Sequence, residues 1–162
     1  FYCHPAVRNQ LQLRQYGWHM VENLFEFDAK TWTPANSARR FECGSPNMTA
    51  IHGLHASLSL FEEFGYNNIY KALALNLEYL VTRLVEVPNL KIISKHNNLG
   101  RQSGIVLLNH SKIASPELYK YLMSKNVFCA LRGGGVRLSP HFYTSQQDID
   151  QILDLFLQLN KS

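Results

Sequence analysis

The chain has 162 residues, of which 46% are hydrophobic and 17% charged, and its formal net charge is +4. This composition excludes a disordered chain, and no apolar run approaches the roughly 20 residues of a membrane span. Basic residues are scattered along the sequence, so the pI near 9.0 does not indicate a nucleic-acid partner. We therefore expect a globular protein that binds neither nucleic acid nor a membrane.

The cysteines and histidines show no ligand pattern. Cys3, Cys43 and Cys129 are far apart and odd in number, which indicates neither a disulfide framework nor a zinc site. His52 and His55 lie on a predicted helix without a carboxylate at metal-ligand spacing. We expect no metal, and reduced thiols in a cytoplasmic protein. No signal-peptide pattern opens the chain, and a targeting segment upstream of Phe1 stays open.

The first third of the chain predicts mostly irregular structure. Residues 1–3 have the apolar character of the end of a buried strand, and residues 5 to about 12 predict a short helix with proline in its first turn. Residues 20–34 predict no regular element. Ser45 and Pro46 predict the N-cap and first residue of a helix that ends at Gly65. This helix carries one apolar stripe, formed by Met48, Ile51, Leu54, Leu58 and Phe61.

The remainder predicts alternating helices and strands. Apolar residues at three-and-four spacing predict a helix over 67–85, and Ser115 is expected to cap a further helix that runs to about residue 125. Ser145 with Asp148 forms a capping-box pattern that predicts the last helix. Four strands are predicted, at 90–94, 103–108, 128–131 and 136–138. This order indicates an α+β fold with a small, mainly antiparallel sheet covered by helices.

The segment from Arg132 to Arg137 sets two arginines around three glycines. Glycine lets the backbone approach a ligand closely or adopt a positive φ, and a guanidinium presents a planar fork that matches a carboxylate or phosphate. One interpretation is therefore an anion site. The other is a tight turn, Gly133 to Gly135, between two strands, with both arginines in solvent.

Two segments resemble a known family in their order and spacing. They are Arg40-Phe-Glu-Cys-Gly-Ser-Pro-Asn47 and Val136-Arg-Leu-Ser-Pro-His-Phe-Tyr-Thr144, the latter followed by Asp148-Ile-Asp150. They resemble the class V aminotransferases, which include cysteine desulfurases, selenocysteine lyases, kynureninases and isopenicillin N epimerase-like proteins, all using pyridoxal phosphate. The resemblance implies that residues 1–66 end the large cofactor-binding domain and that residues 67–162 form the small C-terminal domain of a fold type I enzyme.

The resemblance also implies roles for individual residues. Arg137 lies where the family places the arginine that pairs with the substrate α-carboxylate, and Arg132 matches an arginine that supports substrate binding. Ser45, with Gly44, matches a position that reaches the cofactor phosphate of the partner subunit in a homodimer. Free N–H groups at a helix start favour an anion there as well, whereas the alternative for Ser45 is a plain N-cap.

The same resemblance places the Schiff-base lysine, and the aromatic and aspartate that hold the cofactor ring, upstream of Phe1. We therefore expect the C-terminal part of a larger enzyme, inactive as this chain alone. Desulfurases place a nucleophilic cysteine shortly after the position of Arg132, where this sequence has only glycines. Transamination, lyase or epimerase chemistry on an amino acid is favoured, and kynureninase-like C–C cleavage stays open. The alternative is a non-catalytic interaction or regulatory module that keeps the dimer surface.

Overall fold

The computed structural model describes residues 2–94 and 103–160. The chain forms two compact units, Phe1–Leu58 and Ser59–Ser162, and the division falls inside the helix Met48–Phe64. The assignment of residues 1–66 and 67–162 to a large and a small domain stays a prediction.

The first unit contains little regular structure. Helix α1 spans Pro5–Arg8, and single turns of 3-10 helix span Trp18–Met20 and Ala38–Phe41. The prediction of a helix reaching residue 12 is wrong, because α1 buries none of its residues and a short helix without a packed face propagates poorly in water. Residues 20–34 pair only through the isolated bridge between Val21 and Pro34, which confirms the predicted irregular stretch.

The predicted strand at the start of the chain is absent from its described positions. Phe1 lies outside the described residues, and Tyr2, Cys3 and His4 form no strand. Tyr2 is 81% exposed, whereas Cys3 is buried. The prediction is wrong at these positions because a strand requires a hydrogen-bonded neighbour, and no described residue pairs with this segment.

Helix α2 spans Met48–Phe64 and begins later than predicted. The side-chain Oδ1 of Asn47 accepts a hydrogen bond of 3.0 Å from the N–H of Ala50, so Asn47 is the N-cap. The prediction of Ser45 for that position is wrong, because asparagine caps a helix as well as serine does and here it stands directly before the first helical residue. The predicted apolar stripe is exposed at four positions: Met48, Ile51, Leu54 and Leu58.

The second unit holds the remaining elements. They are α3 Tyr66–Leu84, β1 Leu90–Ile92, β2 Val106–His110, α4 Ser115–Ser124, β3 Ala130–Arg132, β4 Gly135–Leu138 and α5 Gln146–Leu159. Gly65, with φ 81°, separates α2 from α3 because glycine adopts this conformation without strain. The predicted order of helices and strands is confirmed. Within the described part of the chain, no helix has the length and apolar character needed to cross a membrane.

The four strands form one antiparallel sheet in the order β1-β2-β4-β3. One face of the sheet packs against α3, α4 and α5 in a continuous apolar core. The buried sheet residues of this core are Val106, Leu108, Val136 and Leu138. The buried residues of α3 are Leu77, Leu80 and Leu84, which lie on the predicted stripe. This architecture confirms the predicted α+β fold.

The helix starts of the second unit differ in how well the sequence predicts them. At α5 the Oγ of Ser145 accepts from the N–H of Asp148, and the Asp148 carboxylate accepts from the N–H of Ser145 at 2.9 Å, which confirms the capping box. At α4 the predicted cap is wrong. Ala114 is the N-cap, because the hydroxyl of Ser115 instead donates 3.0 Å to the carbonyl oxygen of Gly134.

Candidate functional site

The glycine run forms a two-residue hairpin turn. Gly133 and Gly134 have φ of 51° and 79°, and Arg132 pairs with Gly135 at the end of the β3–β4 ladder. Two consecutive positive φ angles are typical of the turn whose twist matches a hairpin, and glycine adopts them without strain. The tight-turn interpretation is therefore confirmed for the backbone, and the two arginines must be considered separately.

Arg137 lies in the middle of the sheet, on β4. Its neighbours in register are Leu107 on β2 and Ala130 on β3. The side chain is partly buried, and its Nε is buried without a hydrogen-bond partner among the described residues. A buried donor without an acceptor is costly, typically about 1–3 kcal/mol, so this guanidinium is prepared to receive an acceptor such as a carboxylate.

The face of the sheet on which Arg137 lies differs from the core face. Side chains alternate along a strand, and Val136 and Leu138 on either side of Arg137 are both buried in the core with the helices. Arg137 therefore projects from the opposite face. Within the second unit, the helices α3, α4 and α5 pack on the core face, which leaves the face of Arg137 free of them.

Arg132 ends β3 and is exposed. Its Nη1 donates 3.2 Å to the carbonyl oxygen of the adjacent Leu131, a contact that leaves most of the guanidinium donors unused. In residues 2–94 and 103–160, no carboxylate lies within ion-pairing distance of Arg132 or Arg137. Both positive charges are thus available to an external anion.

Asn76 on α3 fixes the loop that follows β4, and the sequence reasoning missed it. Its side-chain amide donates to the carbonyl oxygens of His141 at 3.0 Å and Thr144 at 2.7 Å. The signal was present, because Asn76 falls between Leu73 and Leu80 on the stripe that packs inward. A polar residue on such a stripe predicts a specific hydrogen-bond partner.

The same loop carries a cluster of packed rings. The His141 ring stacks on Tyr143 at 4.8 Å and on Phe61 at 6.2 Å between centroids, and Phe142 contacts Phe64 at 5.4 Å. Within the described residues, the buried Nδ1 of His141 has no hydrogen-bond partner. The rings and the Asn76 hydrogen bonds together hold the chain after β4 in one conformation.

Ser45 and Gly44 lie in the first unit, before α2, and both are exposed. A side chain placed at Gly44 would meet nothing within 4 Å, so space does not require glycine there. Asn47 satisfies the N–H groups of Ala50 and Ile51, and the first N–H groups of a helix such as α2 have no partner within the helix itself. These donors, beside the Ser45 hydroxyl, suit an anion.

The described lysines do not resemble a cofactor-linked lysine. A lysine that forms an imine with a carbonyl is activated by desolvation or by a neighbouring cation. All six in the described residues are exposed: Lys30, Lys71, Lys91, Lys112, Lys120 and Lys125. The described residues therefore supply donors that fit a carboxylate and a phosphate, and no buried lysine.

Cys129 precedes β3 and packs against the core, partly buried. Burial raises the pKa of its thiol, which lowers the thiolate fraction and its reactivity. The described residues contain no group of three or more His, Cys, Asp or Glu side chains that could hold a metal ion.

A groove of about 510 Å³ in the second unit lies apart from the arginines. It is bordered by residues 125–128, residues 138–140 and α5. Neither Arg132 nor Arg137 lines it. The candidate site is therefore the open sheet face that carries the arginines.

Comparison with known proteins identifies the family. Residues 1–152 match aminotransferase class V. The cysteine desulfurase of Escherichia coli O1:K1 / APEC is 31% identical over 99 residues, which cover 61% of this chain and 24% of that protein. The apo cysteine desulfurase of Thermococcus onnurineus NA1 superposes with a TM-score of 0.84 at 20% identity, over 99% of this chain and 42% of that one. The cystine C-S lyase C-DES, in complex with its product cysteine persulfide, superposes with a TM-score of 0.82 at 19% identity. This match covers 96% of this chain and 41% of C-DES.

These matches confirm the family and the fold. The chain spans 24% of the length of the curated relative and 41% of C-DES. A further C-DES structure holds glycine linked to its pyridoxal phosphate, and pyridoxal phosphate is a cofactor of this family. The family match extends over most of the sequence and includes both motifs in which the resemblance is visible. The chain belongs to the aminotransferase class V family.

Proposed function

We propose that this chain is the part of a pyridoxal phosphate-dependent enzyme that binds the carboxylate of an amino-acid substrate. The observation that carries the proposal is the guanidinium of Arg137, which is partly buried, unpaired and provided with a buried Nε that has no acceptor among the described residues. A planar carboxylate accepts two parallel hydrogen bonds from such a fork. The family membership makes an amino acid the natural source of that carboxylate.

Arg137 would orient the substrate as well as bind it. A bidentate contact fixes both the position and the rotation of the carboxylate, so the bonds at Cα take one direction relative to a cofactor. Pyridoxal phosphate, when bound, supplies the stabilisation of negative charge at Cα. The sheet supports Arg137 on both sides, through β2 and β3, and this limits the movement of its backbone.

Ser45 and Gly44 would contact the cofactor phosphate of a partner subunit in a homodimer. The exposed hydroxyl of Ser45 and the free N–H groups at the start of α2 provide the donors. The exposed apolar side chains of α2 favour an association surface, since contiguous apolar surface on a helix commonly marks an interface.

The hairpin favours transamination, lyase or epimerase chemistry over cysteine desulfuration. A desulfurase requires a nucleophilic thiol after the first arginine, and here the two-residue turn of Gly133 and Gly134 leaves no side chain at that place. Cys129 is an unsuitable substitute, because burial raises the pKa of its thiol. Kynureninase-like C–C cleavage stays an alternative.

The chain by itself is expected to be inactive, since its described lysines are all exposed and the resemblance places the Schiff-base lysine upstream. In this proposal, residues 1–66 belong to the large domain, residues 67–162 form the small domain, and the protein is cytoplasmic. A second candidate is a non-catalytic interaction module, favoured by the exposed apolar stripe of α2.

Purification of the protein from its natural source separates the two candidates. An intact mass well above the 18.6 kDa of this chain, together with cofactor absorbance that changes when amino acids are added, is expected for the enzyme. A native mass of this chain alone, without cofactor absorbance, would contradict the enzyme proposal and favour the interaction module.

A further inference from the structure

We propose that Arg132 and Arg137 together recognise an amino acid whose side chain ends in a second carboxylate, as in aspartate or glutamate. The inference rests on the proposed function, in which Arg137 holds the α-carboxylate, and names the substrate class of the same site. A single arginine that binds the α-carboxylate would accept any amino acid. A second arginine held on the same face favours an amino acid with a second anionic group.

The strand register fixes the relation between the two arginines. In the β3–β4 ladder, Arg137 lies opposite Ala130 and Arg132 lies opposite Gly135. Residues two apart on a strand share a face, so Arg132 projects from the same side of the sheet as Ala130 and Arg137. The two arginines are diagonal neighbours, for which the backbone separation is about 7–8 Å. Two guanidinium forks at this spacing can bind the two ends of a short dicarboxylate.

The turn keeps this relation rigid. The hydroxyl of Ser115 on α4 donates a hydrogen bond of 3.0 Å to the carbonyl oxygen of Gly134. A side chain at Gly135 would lie 2.4 Å from the backbone oxygen of Leu108, so the strands approach closely at this point. A two-residue turn also fixes the register of the two strands, because it contains no extra residue that would allow a shift. The backbone positions of the two arginines are thus set before a ligand binds.

The electrostatics favour a dianion. No carboxylate in the described residues neutralises Arg132 or Arg137, although the two arginines are diagonal neighbours on one face of the sheet. Lys91 belongs to the same sheet face but lies on β1, separated from β4 by β2. It has the same charge and a different position, which makes it a matched control.

Equilibrium dialysis of the 162-residue chain tests the inference with labelled glutarate and with its monoamide, which has nearly the same shape and one charge fewer. We expect glutarate to bind about tenfold more tightly, a difference of about 1.4 kcal/mol, at constant ionic strength. Arg132→Gln should equalise the two affinities, Arg132→Lys should restore part of the preference, and Lys91→Gln should preserve it. Circular dichroism confirms that each variant is folded.

The outcomes separate the inference from the proposed function. Equal affinities for the two ligands in the unsubstituted chain, with both lost in Arg137→Gln, would overturn the dicarboxylate inference and leave the carboxylate site intact. Binding of neither ligand, or binding indifferent to Arg137→Gln, would overturn both. If inorganic phosphate at equal concentration removes the tighter binding of glutarate that depends on Arg132, the second arginine is a general anion site and the inference fails.

Discussion

Asn76 donates a hydrogen bond of 2.7 Å to the carbonyl oxygen of Thr144, 68 positions later in the chain. The same amide donates to the carbonyl oxygen of His141 at 3.0 Å. Helix α3 thereby holds the loop that leads from β4, with Arg137, to the capping box of α5. One side chain of α3 thus anchors the segment that follows Arg137 to the core of the second unit.

Substitution of Asn76 should destabilise the second unit. Asn76→Ala leaves two partly buried carbonyl oxygens without their donor, at a cost of roughly 1–3 kcal/mol. Asn76→Asp should cost more, because a carboxylate would then face two carbonyl oxygens. Urea unfolding followed by circular dichroism measures the change. Asn67→Ala, at an exposed position on the same helix, is the control. Equal stability of the two alanine variants would contradict the role assigned to Asn76.

In the complete protein, Arg137 should control substrate binding. A charge-assisted hydrogen bond contributes roughly 1.5–3 kcal/mol, so Arg137→Ala should lower kcat/KM on the order of ten- to a hundredfold or more while the cofactor spectrum stays unchanged. Arg137→Lys keeps the charge and loses the planar fork of donors. Its kcat/KM should therefore lie between those of the unsubstituted protein and Arg137→Ala. Arg132→Ala should cost less for a neutral amino acid. Loss of cofactor absorbance in Arg137→Ala, with substrate affinity intact, would identify a phosphate ligand instead.

The chain alone should not bind pyridoxal phosphate covalently at one lysine. Its described lysines are all exposed, whereas a lysine that forms an imine is activated by desolvation or by a neighbouring cation. Gel filtration after cofactor addition, followed by borohydride reduction and peptide mapping, should show only sparse labelling spread over several lysines. Stoichiometric labelling of a single one, such as Lys30 or Lys112, would contradict the expectation.

The 162-residue chain, without truncation, should associate in solution. Six aromatic side chains of the first unit are at least half exposed: Tyr2 81%, Tyr16 65%, Trp18 51%, Phe25 80%, Phe27 79% and Trp32 53%. Such apolar surface promotes association. Light scattering should show dimers or larger species, whereas a chain shortened to start at about residue 67 should be monomeric, because its core cluster begins at Leu77. A monodisperse monomer of the full chain would count against the proposed domain division.

The capping box of α5 should make stability depend on acid pH. Hydrogen bonds from the Ser145 hydroxyl and N–H lower the pKa of Asp148 below its usual 3.8. A lowered pKa in the folded state stabilises the protein above pH 3.8, and this contribution is lost as pH falls through the folded-state value. The Asp148→Asn variant should therefore be less stable than the unsubstituted chain near neutral pH, and the two stabilities should converge in strong acid. Asp154→Asn, at an exposed position on the same helix, should show no such convergence.

Local patterns in the sequence were sufficient for the elements of the second unit. The stripe that includes Leu77 and Leu84 predicted α3, and Ser145 with Asp148 predicted the start of α5. These features depend on residues within one or two turns of each other, which a sequence displays directly. The fold class and family followed from their order and from two motifs.

Features that depend on competition between nearby partners were predicted less well. Ser45 and Asn47 are both good caps, and only the hydrogen bond from Ala50 shows that Asn47 is used. Ser115 was expected to cap α4, but the carbonyl oxygen of Gly134 recruits its hydroxyl from the hairpin. In each case the sequence contained the correct residue type, and the three-dimensional partner decided its role.

The sequence by itself determined the arginine-glycine segment, the helix periodicity and the family motifs, because these are properties of residue type and spacing. The tertiary structure alone decided that Arg132 and Arg137 share one face of the sheet and that Asn76 reaches Thr144. Strand register and long-range hydrogen bonds depend on which segments pack together, and a one-residue slip would move Arg137 to the opposite face. That pairing is fixed only when the apolar face of the sheet closes against α3, α4 and α5.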